Sequence, residues 1–257
     1  MRARLFVPML AAALSGCSGD VPMIAAPEAM PHAVSAGATP DAAAFDPFGE
    51  RTVAAAGRHE VIAQPSLAEI TAPGDLPEMA LGRRDAPVTI VQYASLSCPY
   101  CRRFQIETFP LLKAEYIDPG KVRYVLRAEF PIGKQSGLAT IALRCASVDK
   151  YFVLYDKFMR EQAAWVSQEV RPEAVFGVAA QVGMTRAQFD SCRENRGMIA
   201  KLNAIKERGR MLGVVGTPNF FIEGRLVKSV IGIEEIRAMV DPILVGRVAL
   251  DATTKAR

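Results

Sequence analysis

The chain has 257 residues, 50% of them hydrophobic and 23% charged, enough for one large domain or two small ones with an ample core. Its 31 Lys and Arg against 27 Asp and Glu leave a net charge of only +4 with no basic block, which excludes a strongly basic nucleic-acid binder. The two histidines, His32 and His59, both precede the sequence with core-forming patterns, so Ser-His and Cys-His nucleophile pairs and histidine-based zinc sites are excluded too. Five cysteines remain, Cys17, Cys98, Cys101, Cys145 and Cys192, an odd count for an exported chain.

Residues 1–16 read as a signal peptide. Arg2 and Arg4 form a positive start, and residues 5–14 are an apolar run too short to span a bilayer. Leu14-Ser15-Gly16-Cys17 resembles the bacterial lipoprotein box, in which the cysteine is exposed by cleavage and lipidated; the alternative is cleavage near Ala11-Ala12-Ala13, leaving Cys17 a free thiol. Ser18 after the cysteine leans toward the outer membrane rather than inner-membrane retention. Loss of Arg2 and Arg4 lowers the charge of +4 to +2, so half of the basic balance belongs to targeting. Residues 18–60 hold 12 Ala, 5 Pro and 4 Gly in 43 positions without apolar periodicity, which reads as a flexible tether over 17–75 that carries both histidines as solvated residues.

The folded domain is expected over 76–250. Residues 88–94, VTIVQYA, are apolar and β-branched nearly throughout, as a strand buried on both faces should be. Residues 99–116 follow as a helix with Phe104, Ile106, Phe109, Leu111 and Leu112 as its apolar surface and Pro110 as a kink. Asp118-Pro119-Gly120 is a turn into a second strand over 122–128, making a βαβ unit with parallel strands. A helical block spans about 133–212. Leu138, Ile141, Ala142, Cys145 and Val148 share one helical face, and further helices are expected over 151–159, 172–182, 185–193 and 198–212, with Pro172 at a first helical position and Thr185 as an N-cap. Strands 219–222 and 226–230 then form a hairpin across Glu223-Gly224-Arg225, and a last helix runs over 233–245. The fold class is α/β, ordered βαβ, helical insertion, ββα.

Cys98-Pro99-Tyr100-Cys101 sits between the first strand and the first long helix. Half of a zinc site looks the same, but four ligands are needed and no second CxxC or histidine pair follows. The redox reading has a mechanism. Pro99 at the first helical position places Cys98 at a helix N-terminus, where unpaired N–H groups and the helix dipole stabilise a thiolate, and Arg102 and Arg103 add positive charge. Cys101, nearly one turn on, is within disulfide reach and turned toward the sheet, as a shielded resolving thiol. Gly216-Thr217-Pro218 precedes the hairpin strand; by local sequence alone a trans Pro218 in a loop is favoured, since few X–Pro bonds are cis.

These features resemble the DsbA family of thioredoxin-fold disulfide oxidoreductases. Within it, APVTIV at 86–91, CPYC at 98–101, Phe109-Pro110 and GKVR at 120–123 resemble one branch, over roughly 76–245. The resemblance implies a thioredoxin-like fold with an inserted all-helical subdomain, a cis Pro218 packed beside the Cys98–Cys101 pair, and a Thr217 backbone that pairs with an extended substrate chain. Gln92 departs from the pattern: many such enzymes carry a buried carboxylate six residues before the first cysteine, so Glu115, Glu129 or water would have to act as base. Tyr100 where well-known members carry histidine, and Thr217 where oxidants often carry valine, point to a milder oxidant.

Cys145 and Cys192 read as a structural disulfide in the helical block, with two buried unpaired thiols or a second redox pair as alternatives. Trp165, the only tryptophan, reads as a core or groove residue. The leading function is an extracytoplasmic thiol–disulfide oxidoreductase without cofactor, acting as a monomer on exported proteins and recharged by a quinone-linked membrane oxidase. A reductase or isomerase working with a reducing partner is the alternative in the same class. A thiol-based copper chaperone or a non-catalytic peptide-binding lipoprotein is the alternative in another; the missing histidines and scattered methionines weigh against the metal reading.

Overall fold

The computed structural model describes residue 62 and residues 64–255. The expected signal peptide, Cys17, most of the expected tether, His32 and His59 lie outside the described residues. Helix α1 (Leu67–Thr71) opens the described chain under a capping box, in which Ser66 accepts from the Glu69 N–H and Glu69 reaches back to Ser66. Its Ile70 is buried against Val91, Tyr93 and Phe221, so residues read as the end of the tether are part of the packed body.

Five strands make one mixed sheet in the order β1-β3-β2-β4-β5. β2 (Val88–Tyr93) and β3 (Val122–Arg127) are parallel, with Val88 opposite Val122 and Tyr93 opposite Arg127. β4 (Asn219–Ile222) runs antiparallel to β2, and β5 (Arg225–Val227) antiparallel to β4. The edge strand β1 (Ala80–Leu81) pairs with β3 and is too short to leave a periodicity in the sequence. The hairpin turn is two residues, Glu223 and Gly224, with φ of 45° and 89°. Positive φ at both central positions suits the right-handed twist of the strands, so Arg225 already pairs with Ile222 and β5 starts and ends earlier than 226–230.

The helix after β2 is continuous but not uniform. α2 (Pro99–Arg103) and α3 (Phe109–Leu112) are each followed by a π turn, Phe104–Thr108 and Lys113–Ile117. Phe109 N–H bonds Phe104 O, one residue further back than in an α-helix, immediately before Pro110. The expected kink thus takes the form of a wide turn that accommodates a residue with no N–H to donate. Phe104 packs on Phe220 of β4 at 4.7 Å between ring centroids, whereas Leu111 is 43% exposed and does not belong to the apolar surface.

Six helices fall between β3 and β4: α4 (Lys134–Cys145), α5 (Val148–Arg160), α6 (Gln162–Trp165), α7 (Pro172–Ala180), α8 (Arg186–Arg193) and α9 (Arg196–Met211). Pro172 opens α7 and Thr185 caps α8, each where the sequence reading has it. Val148 does not continue the apolar face of α4. The chain breaks at Ala146 and Ser147, the helical phase restarts, and Val148 is 70% exposed. Trp165 is fully buried in the core of this block, its indole N–H donating to Phe158 O at 2.8 Å. Gly209 lets α9 approach the other face of the sheet, since a Cβ there would lie 2.7 Å from the Tyr93 ring. The last helix, α10 (Ile233–Lys255), runs through Pro242 and past the expected end at 245. The chain is therefore an α/β protein with a thioredoxin-like sheet and an all-helical insertion.

Candidate active site at the N-terminus of helix α2

β2 delivers the chain to the site. After Tyr93, Ala94 N–H still bonds Arg127 O, and residues 95–97 then turn over the end of the sheet. Ser95 organises that turn: its hydroxyl accepts from Ile132 N–H at 3.1 Å and lies 3.0 Å from the Ser136 hydroxyl. Cys98 is the N-cap of α2 in extended conformation, with Pro99 following as the first helical residue. Both thiols are free; Cys98 is 5% exposed and Cys101 is fully buried.

The two sulfurs stand in opposite electrostatic settings. The Cys98 thiol is lowered to about 6, first by the hydrogen bond with the Cys101 side chain and, against the cost of burial, by the hydrogen bond at Thr217 and then by the backbone N–H groups of Cys101 and Tyr100. Burial pushes Cys101 well above the ordinary thiol range, and the neighbouring Cys98 adds to it. Arg103 is turned away to Glu107, one helical turn on, so the thiolate is stabilised by the helix end and its partner thiol rather than by that guanidinium. Tyr100 is 60% exposed beside the pair.

The Gly216–Pro218 loop closes the other side. The Thr217–Pro218 peptide is cis, which overturns the trans form favoured by local sequence and agrees with the resemblance. The Thr217 carbonyl accepts from Cys98 Sγ at 3.3 Å, and buried Asn219 braces the loop through Gly216 O and Pro218 O at 2.7 and 2.9 Å.

Behind Cys101, Gln92 is fully buried on the α2 face of the sheet and accepts from the Tyr124 hydroxyl; its amide nitrogen has no partner. Burial raises Tyr124 well above the usual phenol range, with Cys101 adding to the shift, so a neutral phenol adjoins this thiol. The two carboxylates weighed as substitutes are engaged elsewhere. Glu129 is buried in an ion pair with Arg144, and Glu115 holds Arg237 of α10 at 2.6 Å.

Cys145 and Cys192 form a disulfide, joining the last turn of α4 to α8 with Cα atoms 6.3 Å apart. Both are half-buried rather than fully buried, and Met198 Sδ lies 3.7 Å from Cys145 Sγ. Among the described residues no group of three or more His, Cys, Asp or Glu is placed to hold a metal ion, and no helix is long and apolar enough to cross a membrane. The sequence reading missed Gln162, Ser95 and Tyr124. Each is a common residue type with an ordinary place in a helix, loop or strand, and nothing local marks where its polar end goes.

A CxxC pair at a helix N-terminus, faced by a cis-proline loop on a βαβ…ββα sheet, defines a dithiol protein of thioredoxin fold. The family profile described as thioredoxin matches residues 75–242, and the chain belongs to that family. A putative protein-disulfide oxidoreductase of Rickettsia bellii is 30% identical over 169 residues, covering 64% of this chain and 63% of that protein. The chain thus spans just under two thirds of that relative's length. A probable disulfide bond formation protein D of Bacillus cereus is 29% identical over 58% of this chain and 71% of its own. The crystal structure of Wolbachia pipientis alpha-DsbA1 shares the fold with a TM-score of 0.61 at 23% identity, over 68% of this chain and 96% of that one.

Proposed function

We propose that the protein is an extracytoplasmic thiol–disulfide oxidoreductase that introduces disulfide bonds into exported proteins. The observation that carries the reading is the asymmetry of one dithiol: Cys98 at the N-cap of α2 against the Thr217 carbonyl, and Cys101 fully buried one turn inside, which lowers the first thiol and raises the second. In the oxidised protein a substrate thiolate attacks Cys98 Sγ, the Cys98–Cys101 bond breaks, and Cys101 leaves as a thiolate that takes up a proton. A second substrate thiolate then attacks the substrate sulfur of the mixed disulfide. This forms the substrate disulfide and expels Cys98, a good leaving group because its thiolate is stable. Stabilising that thiolate stabilises the reduced protein and so makes the disulfide oxidising, which supports the oxidase direction over the reductase or isomerase one.

The Thr217 backbone beside Cys98 is the edge on which an extended substrate chain pairs, by β-strand addition. Recharging falls to a membrane redox partner, a quinone-linked oxidase. The signal-like start and Cys17 support a periplasmic protein held by a lipid anchor, with the outer membrane favoured by Ser18. Oxidative refolding of a reduced, unfolded substrate tests the activity: Cys98→Ser should abolish it, and unchanged activity would exclude the reading. A reduction potential near thioredoxin's, about −270 mV, would reassign the direction to reduction.

A further inference from the structure

One hydrogen bond to the backbone of the CPYC segment comes from the helical insertion. Gln162, in α6 of the helical insertion, places its amide nitrogen 2.7 Å from the Leu96 carbonyl and 3.1 Å from the Cys98 carbonyl. All three residues are buried. Two carbonyl acceptors fix which end of the amide faces them, because only its nitrogen can donate. Leu96 sits between the end of β2 and the start of α2, where neither a ladder nor a helix runs, so a donor there answers a backbone need. The Cys98 carbonyl is different. It already accepts the first bond of α2, from Arg102 N–H at 3.1 Å, so the Gln162 bond exceeds what the backbone requires.

We propose that Gln162 is a positioning residue for the attacking thiol, fixing the Leu96–Cys98 backbone through two hydrogen bonds and setting the positive end of its amide dipole on the residue that bears the thiolate. It touches no reacting atom and acts through Cys98. The nucleophile's properties then depend on the helical insertion as well as on the thioredoxin-type framework. The proposal rests on Cys98 being the attacking thiol.

Gln135 supplies a matched control. It is equally buried, its amide nitrogen lies 2.7 Å from Trp165 O and 3.3 Å from Arg171 O, and its oxygen accepts from Arg171 N–H at 2.8 Å. All of its bonds stay inside the insertion.

The test uses the whole chain, reduced, and reads three quantities: ultraviolet thiolate absorbance against pH, the equilibrium constant with glutathione, and Tm. In Gln162→Met, isosteric but without a donor, the Cys98 titration should move up by about half to one pH unit, a roughly three- to tenfold loss of thiolate stabilisation. The glutathione equilibrium should move the same way, toward the oxidised protein. Gln135→Met should lower Tm comparably and leave the Cys98 titration in place. Should Gln162→Met not fold, Gln162→Asn keeps an amide too short to reach both carbonyls and carries the same expectation. A wild-type Cys98 titration in the Gln162 variant, or an equal shift in Gln135→Met, overturns the proposal. A wild-type chain with no thiol titrating near 6 overturns the Cys98 reading itself, so the two failures are told apart.

Discussion

The two cysteines of the CPYC motif are the same chemical group, and position alone separates them. Cys98 lies at the helix end, where the Cys101 side chain and then Thr217 and the backbone N–H groups hydrogen-bond it; Cys101 is one turn inside, where burial penalises charge. The pH dependence follows with a definite sign. The folded Cys98 thiol titrates near 6 against an ordinary 9.0, so its stabilisation of the reduced protein is full above pH 9, declines as pH falls from 9 to 6, and is gone below 6. At pH 7 it amounts to on the order of 1 kcal/mol. Urea unfolding of the reduced and oxidised forms should show their stability difference shifting in favour of the reduced form from pH 6 to 9; a flat difference would contradict a lowered Cys98. Behind the pair, Tyr124→Phe strips Gln92 of its one hydrogen-bond donor and leaves a buried amide unpaired at both ends, at a cost of about 1–3 kcal/mol by the same unfolding measurement. The motif cysteines and Thr217-Pro218 were legible because they carry spacing and punctuation. Tyr124 was not, because a tyrosine in an apolar strand reads as core wherever its hydroxyl points.

Among the elements, the disulfide between α4 and α8 closes 47 residues of the insertion that abuts the site. By the chain-entropy account such a loop is worth up to roughly 4 kcal/mol. Replacing both Cys145 and Cys192 by serine should lower the unfolding free energy by that order. It should leave the Cys98 titration unchanged, since neither sulfur belongs to the reacting pair; a displaced titration would instead make this bond part of the redox machinery. Strands β2, β3 and β4, the parallel βαβ unit, the Thr185 cap and the Pro172 start were readable because each rests on local pattern or capping chemistry. The two side chains assigned to the wrong face share one cause. Val148 and Leu111 were assigned to buried faces by extending a helical period through Ala146–Ser147 and through the π turn Phe104–Thr108, and an interrupted period no longer predicts which side faces inward.

At the scale of the whole molecule, the sheet has two covered faces, and the one away from α2 depends on residues the sequence reading left in the tether. Ile70 packs there on Val91, Tyr93 and Phe221, while Arg208 and Arg127 donate to the carbonyls of Glu69 and Ala72. A chain begun at residue 76 should therefore be less stable than one begun at residue 62 by about 2–3 kcal/mol from the lost burial of Ile70 alone, as read by urea unfolding; equal stability would return residues 64–75 to the tether. The sequence by itself determined the order βαβ, helical block, ββα and the dithiol at a helix N-terminus, because periodicity, capping residues and motif spacing are local properties. Only the tertiary structure decided the isomer of Pro218, the pairing of Cys145 with Cys192, the neutral Gln92–Tyr124 contact behind Cys101 and the reach of Gln162 to Cys98. Each of these joins residues far apart in the chain, and which distant groups meet is fixed by packing, which no local pattern encodes.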